Sequence, residues 1–176
     1  MPKRDAVYFI DGRRIRSLED FLSVVGEAVS GPGGYFGRNL DAVADCLTGG
    51  YGTPEDGTFR FVWQYSRESR SALGYAETVR QLEIRFEQCH PDNKARVHRE
   101  LDRAIAAEGP TVFDWLVDIF EFRNVELELQ WENAFAKASV LQVGRAGVRV
   151  VARGSPLSCT DLTSTSLVRT LFRSRY

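Results

Sequence analysis

No run of apolar residues in this 176-residue chain approaches the roughly 18–20 that a membrane-spanning helix requires. The opening stretch, MPKRDAVYFIDGRR, returns to charge at Asp11 and Arg13 before an apolar segment of signal-peptide length has formed. A cytoplasmic location without membrane association is the expectation. Cysteine is sparse: Cys46, Cys89 and Cys159 are widely scattered and odd in number, which suggests neither a disulfide framework nor a CxxC metal site and suits a reduced compartment. Histidine is rarer, with only His90 and His98. Cys89-His90 suggests a nucleophile pair, or a metal site with His98, but neighbours on a helix point apart and no cluster at ligand spacing completes a site. P-loop, GxSxG, HExxH and dinucleotide fingerprints are all missing. No catalytic residue, no metal and no cofactor is expected, and an enzyme would have to rest on Cys89 or His90.

What is present is an uneven distribution of charge. Residues 1–130 carry 16 Lys and Arg against 22 Asp and Glu, a net of −6, whereas residues 131–176 carry 7 against 2, a net of +5. An acidic body argues against direct nucleic-acid binding, which needs cations to neutralise phosphates. It suits a basic protein partner, although solubility alone also accounts for it. The hydrophobic fraction of 43% allows a core of ordinary size.

Patterning along the chain predicts an α/β fold. VYFI (7–10) followed by Asp11-Gly12 reads as a strand leaving through a tight turn. Ser17 heads a helix in SLEDFLSVVGEAV, with Asp20 at capping-box spacing and Leu18, Phe21, Leu22, Val25 and Val29 on one face. Asn39 is placed to cap a short helix that buries Leu40, Val43, Ala44 and Leu47. FRFVWQY reads as the second strand and VELELQW, with Val125, Leu127 and Leu129 alternating with Glu126 and Glu128, as the third. Between them two amphipathic segments, presenting Val79, Leu82 and Phe86 and then Val97, Leu101, Ala104 and Ile105, form a helical hairpin divided at Pro91, followed by an apolar helix in TVFDWLVDIFEFRN. The expected architecture is a small three-stranded parallel β-sheet packed with helices, an inserted helical hairpin at about 75–108, and an irregular C-terminal tail. Residues 1–131 are read as the domain and 132–176 as a basic extension. VLQVGRAGVRVVA is a candidate β-hairpin within it, and roughly the last 20 residues are expected to be disordered.

The segment GGYFGRNLDAVADCLTGG (Gly33–Gly50) carries the most information. It resembles the aromatic-aromatic-Gly-x-Asn-Leu-Asp-Ala-x-x-Asp-Cys-Leu signature of the barstar family, and IDGRRIRSLEDFLSVVGEAV is similar to that family's first strand, turn and helix. The resemblance covers Tyr8–Trp63 and resumes at Thr111–Gln130, skipping the hairpin between. It implies an inhibitor of a barnase-type ribonuclease, either protecting the producer of a secreted ribonuclease or acting as immunity protein to a ribonuclease toxin. Its short second helix and adjoining loop would enter the nuclease cleft.

By that resemblance the partner-binding residues are Tyr35, Asn39, Asp41, Ala44, Asp45, Gly49 and Tyr51, with Asp118 and Glu121 as secondary contacts on the last helix. The residues carry their own physical reading. Asp41 and Asp45 lie four apart on one helix face. Asp41 sits in the first turn, where the helix dipole alone explains it. Asp45 sits near the C-terminal end, against the dipole and against Asp41, so it calls for a cationic partner. Tyr35 is open to two readings, a ring for the cleft rim or one packed beside the helix. Gly37 and Asn39 fit backbone roles, positive φ and N-cap. Asp114, Asp118 and Glu121 make one narrow stripe, for which a solvated face is the alternative. Cys46 matches a family cysteine and reads as a packed thiol. The family often has tryptophan where this chain has Ala44, and another aromatic where it has Gly50 or Tyr51. Loss of such an anchor removes about 1–4 kcal/mol of contact, which leaves open a target other than a standard barnase. A different class of function also stays open: a non-inhibitory binding module docking through the hairpin and the basic tail.

Overall fold

A computed structural model describes residues 6–55 and 59–131 and, for residues 139–144 and 147–152, the backbone. The expected parallel strands are β1 (Ala6–Asp11), β2 (Phe59–Gln64) and β3 (Glu126–Gln130), hydrogen-bonded in that order. Their register places Ile10 beside Trp63 and Phe61 beside Leu127, so the apolar positions of neighbouring strands share one face. The candidate hairpin forms β4 (Ser139–Gly144) and β5 (Gly147–Ala152). These strands pair antiparallel after β3, making a mixed sheet of five, so the first part of a tail expected to be irregular extends the sheet. The expectation of disorder near the C-terminus lies outside the described residues.

Helix α1 (Leu18–Ser30) starts with the capping box between Ser17 and Asp20 that the sequence indicates. Helices α2 (Leu40–Cys46) and α6 (Val112–Phe122) join it against the sheet. Phe21, Phe36, Val43, Phe113 and Phe120 meet Phe61 and Trp63 in one continuous core. Each such side chain, fully buried, contributes about 1.5–3 kcal/mol. The edge-to-face contact of Phe61 with Phe120, ring centres 5.2 Å apart, binds the last helix to the central strand.

Helix α3 (Ser66–Ala72) has no apolar signature in the residues, because its burial is polar. Ser69 accepts from the Trp63 indole Nε1 at 3.0 Å and donates to the Gly12 carbonyl at 3.1 Å, and Ser66 donates to the Gln130 carbonyl at 3.0 Å. Two serines thereby satisfy groups that would otherwise be buried unpaired, and no apolar periodicity results.

The hairpin consists of α4 (Tyr75–Gln88) and α5 (Pro91–Ile105), with Pro91 at the first helical position. Leu82, Val97 and Ala104 form a small core of their own, joined by Val79, Phe86 and Leu101 and roofed by Trp115 of α6. Ile105, expected on the apolar face, is exposed. Glu77 fixes the hairpin to the body: its buried carboxylate accepts from the Leu18 backbone N–H at 2.9 Å and from Arg80 Nε at 2.7 Å. Burial pushes this carboxyl upward, but Arg80, the Leu18 N–H and Gln81 outweigh it and hold it below the usual glutamate range. Thr78 adds a second tie by accepting from the Val112 N–H at 3.0 Å.

Candidate partner-binding site

The short helix α2 is positioned by its approach loop. Gly26 of α1 and Gly34 of the loop touch backbone to backbone, since a Cβ on Gly26 would lie 2.2 Å from the Gly34 carbonyl oxygen. Phe36 then plunges into the core against Phe61, while Tyr35 before it is left 52% exposed. Gly37 has φ +91°, and a Cβ there would lie 2.7 Å from the Val43 nitrogen, so the turn into α2 needs glycine. Asn39 caps the helix as expected, its side chain accepting from the Ala42 N–H at 2.8 Å.

Seven residues of helix then divide cleanly. Val43, Ala44 and Cys46 are buried, and Asp41 and Asp45 are exposed on the opposite face. Burial pushes the Cys46 thiol up, and Asp45 adds to the effect, consistent with an inert packed cysteine. Ala44 is the exception among the expected contact residues. It is 0% exposed and belongs to the core, so a partner cannot reach its side chain. Its small size is a packing feature of the α2 interior.

The loop after α2 is held by hydrogen bonds. Thr48 donates its hydroxyl to the Asp45 carbonyl at 2.6 Å, the Gly50 N–H reaches the Thr53 carbonyl at 3.1 Å, and Tyr8 of β1 donates to the Gly52 carbonyl at 3.2 Å. Gly49 (φ +106°) is half-buried, and Tyr51 stands 56% exposed. Asp41 and Asp45 are therefore flanked in sequence by two exposed tyrosines, each on a loop anchored by a neighbouring buried or hydrogen-bonded group.

Sequence reasoning missed Arg123, which caps the C-terminus of α6. Its Nη2 donates to Asp45 Oδ1 at 3.1 Å, from a guanidinium side chain 26% exposed to a carboxylate side chain 71% exposed. The cation that Asp45 calls for is thus supplied, in the free protein, by the chain itself. With one partner so exposed, the pair is worth about 0–1 kcal/mol to the fold. The signal available in the sequence was an arginine at a helix end beside an acid lacking an explanation, but nothing in spacing connects residues 78 positions apart.

Helix α6 presents its acids differently. Asp114 is occupied in a capping box with Thr111. Asp118 is half-buried, and desolvation first, then the charges of Asp114 and Glu121, push its carboxyl up to about 6. Glu121 is exposed. At 3.6 residues per turn Arg123 projects about 140° around the helix from Asp118 and about 160° from Glu121. Since α6 reaches Asp45 through Arg123, the two acids lie on a different side of α6 from that contact.

No three or more His, Cys, Asp and Glu side chains group as a metal site among the described residues, and no helix among them is long and apolar enough to cross a membrane.

An α/β scaffold thus presents two exposed carboxylates on a short helix capped by Asn39. Residues 6–90 match the family model described as Barstar (barnase inhibitor), and over that stretch the chain is similar to the barstar family. The matched stretch contains β1, α1, α2, β2, α3 and α4. It runs on through the first helix of the hairpin and does not include 111–130, in contrast to the coverage read from the sequence, so α6 with Arg123 lies outside it. No curated protein and no solved structure matches.

Proposed function

We propose that this protein is an inhibitor of a barnase-type ribonuclease, and not itself an enzyme, with α2 and the loops on either side as its inhibitory face. The observation that carries this reading is the exposure of Asp41 and Asp45 on one face of α2, between exposed Tyr35 and Tyr51, inside the stretch that matches the family. A nuclease cleft that holds phosphodiesters is lined with cationic donors. A carboxylate fixed at the right place accepts several charge-assisted hydrogen bonds from them and blocks RNA. The acidic body adds attraction at long range and speeds encounter. The contact set is Tyr35, Asn39, Asp41, Asp45, Gly49 and Tyr51; Asp118 and Glu121 contribute through their field. The natural setting is the cytoplasm of a cell that makes a secreted ribonuclease or faces a ribonuclease toxin. Hydrolysis of RNA by a barnase-type ribonuclease, followed as this protein is titrated in, tests the reading. Stoichiometric one-to-one loss of activity, competitive with RNA, supports it. Full activity at micromolar protein contradicts it.

A further inference from the structure

Building on the reading of α2 as the inhibitory helix, we propose that Arg123 is a specificity-determining residue, holding Asp45 so that only a partner presenting several cations together draws that carboxylate into an interface. The geometry is that of a fixed competitor. Hydrogen bonds of the Arg123 N–H to the Ile119 carbonyl and of the Val125 N–H to the Phe120 carbonyl, both 3.0 Å, close the end of α6 and fix the root of the side chain. The guanidinium is largely buried, its Nε enclosed with no partner among the described residues, and its Cζ lies 5.5 Å from the centre of the Phe122 ring. The enclosed Nε and the Phe122 ring restrict its swing into solvent. Among the described residues only Oδ1 of Asp45 is engaged, at 3.1 Å, which leaves Oδ2 of a mostly exposed carboxylate to accept from a partner.

A lone lysine approaching this carboxylate meets a pair already close to neutral, with a second positive charge directly behind it. A phosphate-binding cleft brings several cations at once, and these engage Oδ2 of Asp45 together with Asp41 four residues earlier on the same face. Removing Arg123 has two opposed effects. It loosens the Asp45 side chain, and it takes a like charge out of an interface from which water is being expelled. The second dominates, because an aspartate has only two torsions to order whereas charge repulsion strengthens as water leaves.

The test compares the wild type with Arg123→Gln and with Arg123→Met, which keeps the aliphatic packing should the first fold poorly. Each is measured against a barnase-type ribonuclease and, by the shift of the Asp45 amide, against a peptide carrying one lysine. The expected result is inhibition about tenfold tighter in the variants and a clear gain in binding of the single-lysine peptide. Variants that inhibit equally or more weakly than an inhibitory wild type overturn it and leave the inhibitor reading intact. Unchanged binding of the single-lysine peptide overturns the specificity role. Inhibition by none of the three overturns both readings.

Discussion

Helices α2 and α6 each carry aspartates four residues apart, Asp41 and Asp45 on one and Asp114 and Asp118 on the other, yet the fold treats the two pairs in opposite ways. On α2 both carboxylates stand in solvent and the second is met by Arg123. On α6 the first is consumed by a helix cap and the second is half-buried beside like charges, with its carboxyl pushed up to about 6. Identical spacing therefore says little about role. What separates a presented charge from a tolerated one is which neighbours the tertiary structure supplies.

The sharpest way to break the comparison is to remove one acid from each helix and measure inhibition. Asp45→Ala is expected to weaken binding of a barnase-type ribonuclease by about 2–5 kcal/mol, whereas Asp118→Asn leaves it within a few-fold. The barnase–barstar complex is the standard source of such costs, so that magnitude is carried over from it. Comparable losses from both substitutions would erase the distinction drawn between the helices.

A smaller effect tests how α2 is packed. Ala44→Trp places a large ring where the structure has a wholly enclosed methyl, and overpacking of this kind costs about 1–3 kcal/mol. Urea denaturation should show the midpoint falling. A variant as stable as the parent would mean that position 44 opens to the surface and belongs to the contact set.

The smallest expected effect concerns pH. The Asp118 carboxyl is raised in the folded state, so the fold holds its proton more tightly than the unfolded chain does. Its burial costs nothing below the ordinary aspartate range, and the cost grows as pH rises until it is complete above about 6. Asp118→Asn should therefore stabilise the protein by about 1 kcal/mol at pH 8, allowing for solvent screening of a half-exposed group, with the gain disappearing near pH 3.5. Thermal melts at the two pH values check the sign. A gain that is larger in acid would place Asp118 in an attractive environment.

Much of this organisation was legible in the residues because it depends on local chemistry. The Ser17–Asp20 capping box, the Asn39 cap, the left-handed Gly37 and the alternation of β3 are all local consequences of sequence. The exposed face of α2 follows from the same 3.6-residue period that buries Val43, Ala44 and Leu47. That period also put Ala44 inside from the start, and its place in the contact set came from resemblance alone. What escaped is non-local. Helix α3 is built on two buried serines whose partners lie up to 64 residues away, and Arg123 reaches Asp45 across 78. On α6, Trp115 roofs the hairpin core and Ile119 is buried, while Phe122 remains half-exposed at the end of the helix.

The most direct measurement is backbone amide mapping by NMR, with isotope-labelled protein titrated with an inactivated barnase-type ribonuclease. Perturbations should concentrate between residues 33 and 53, with α4 and α5 silent. Shifts confined to the α4–α5 hairpin, with Asp41 and Asp45 unmoved, would contradict the assignment of α2 as the face that meets the nuclease.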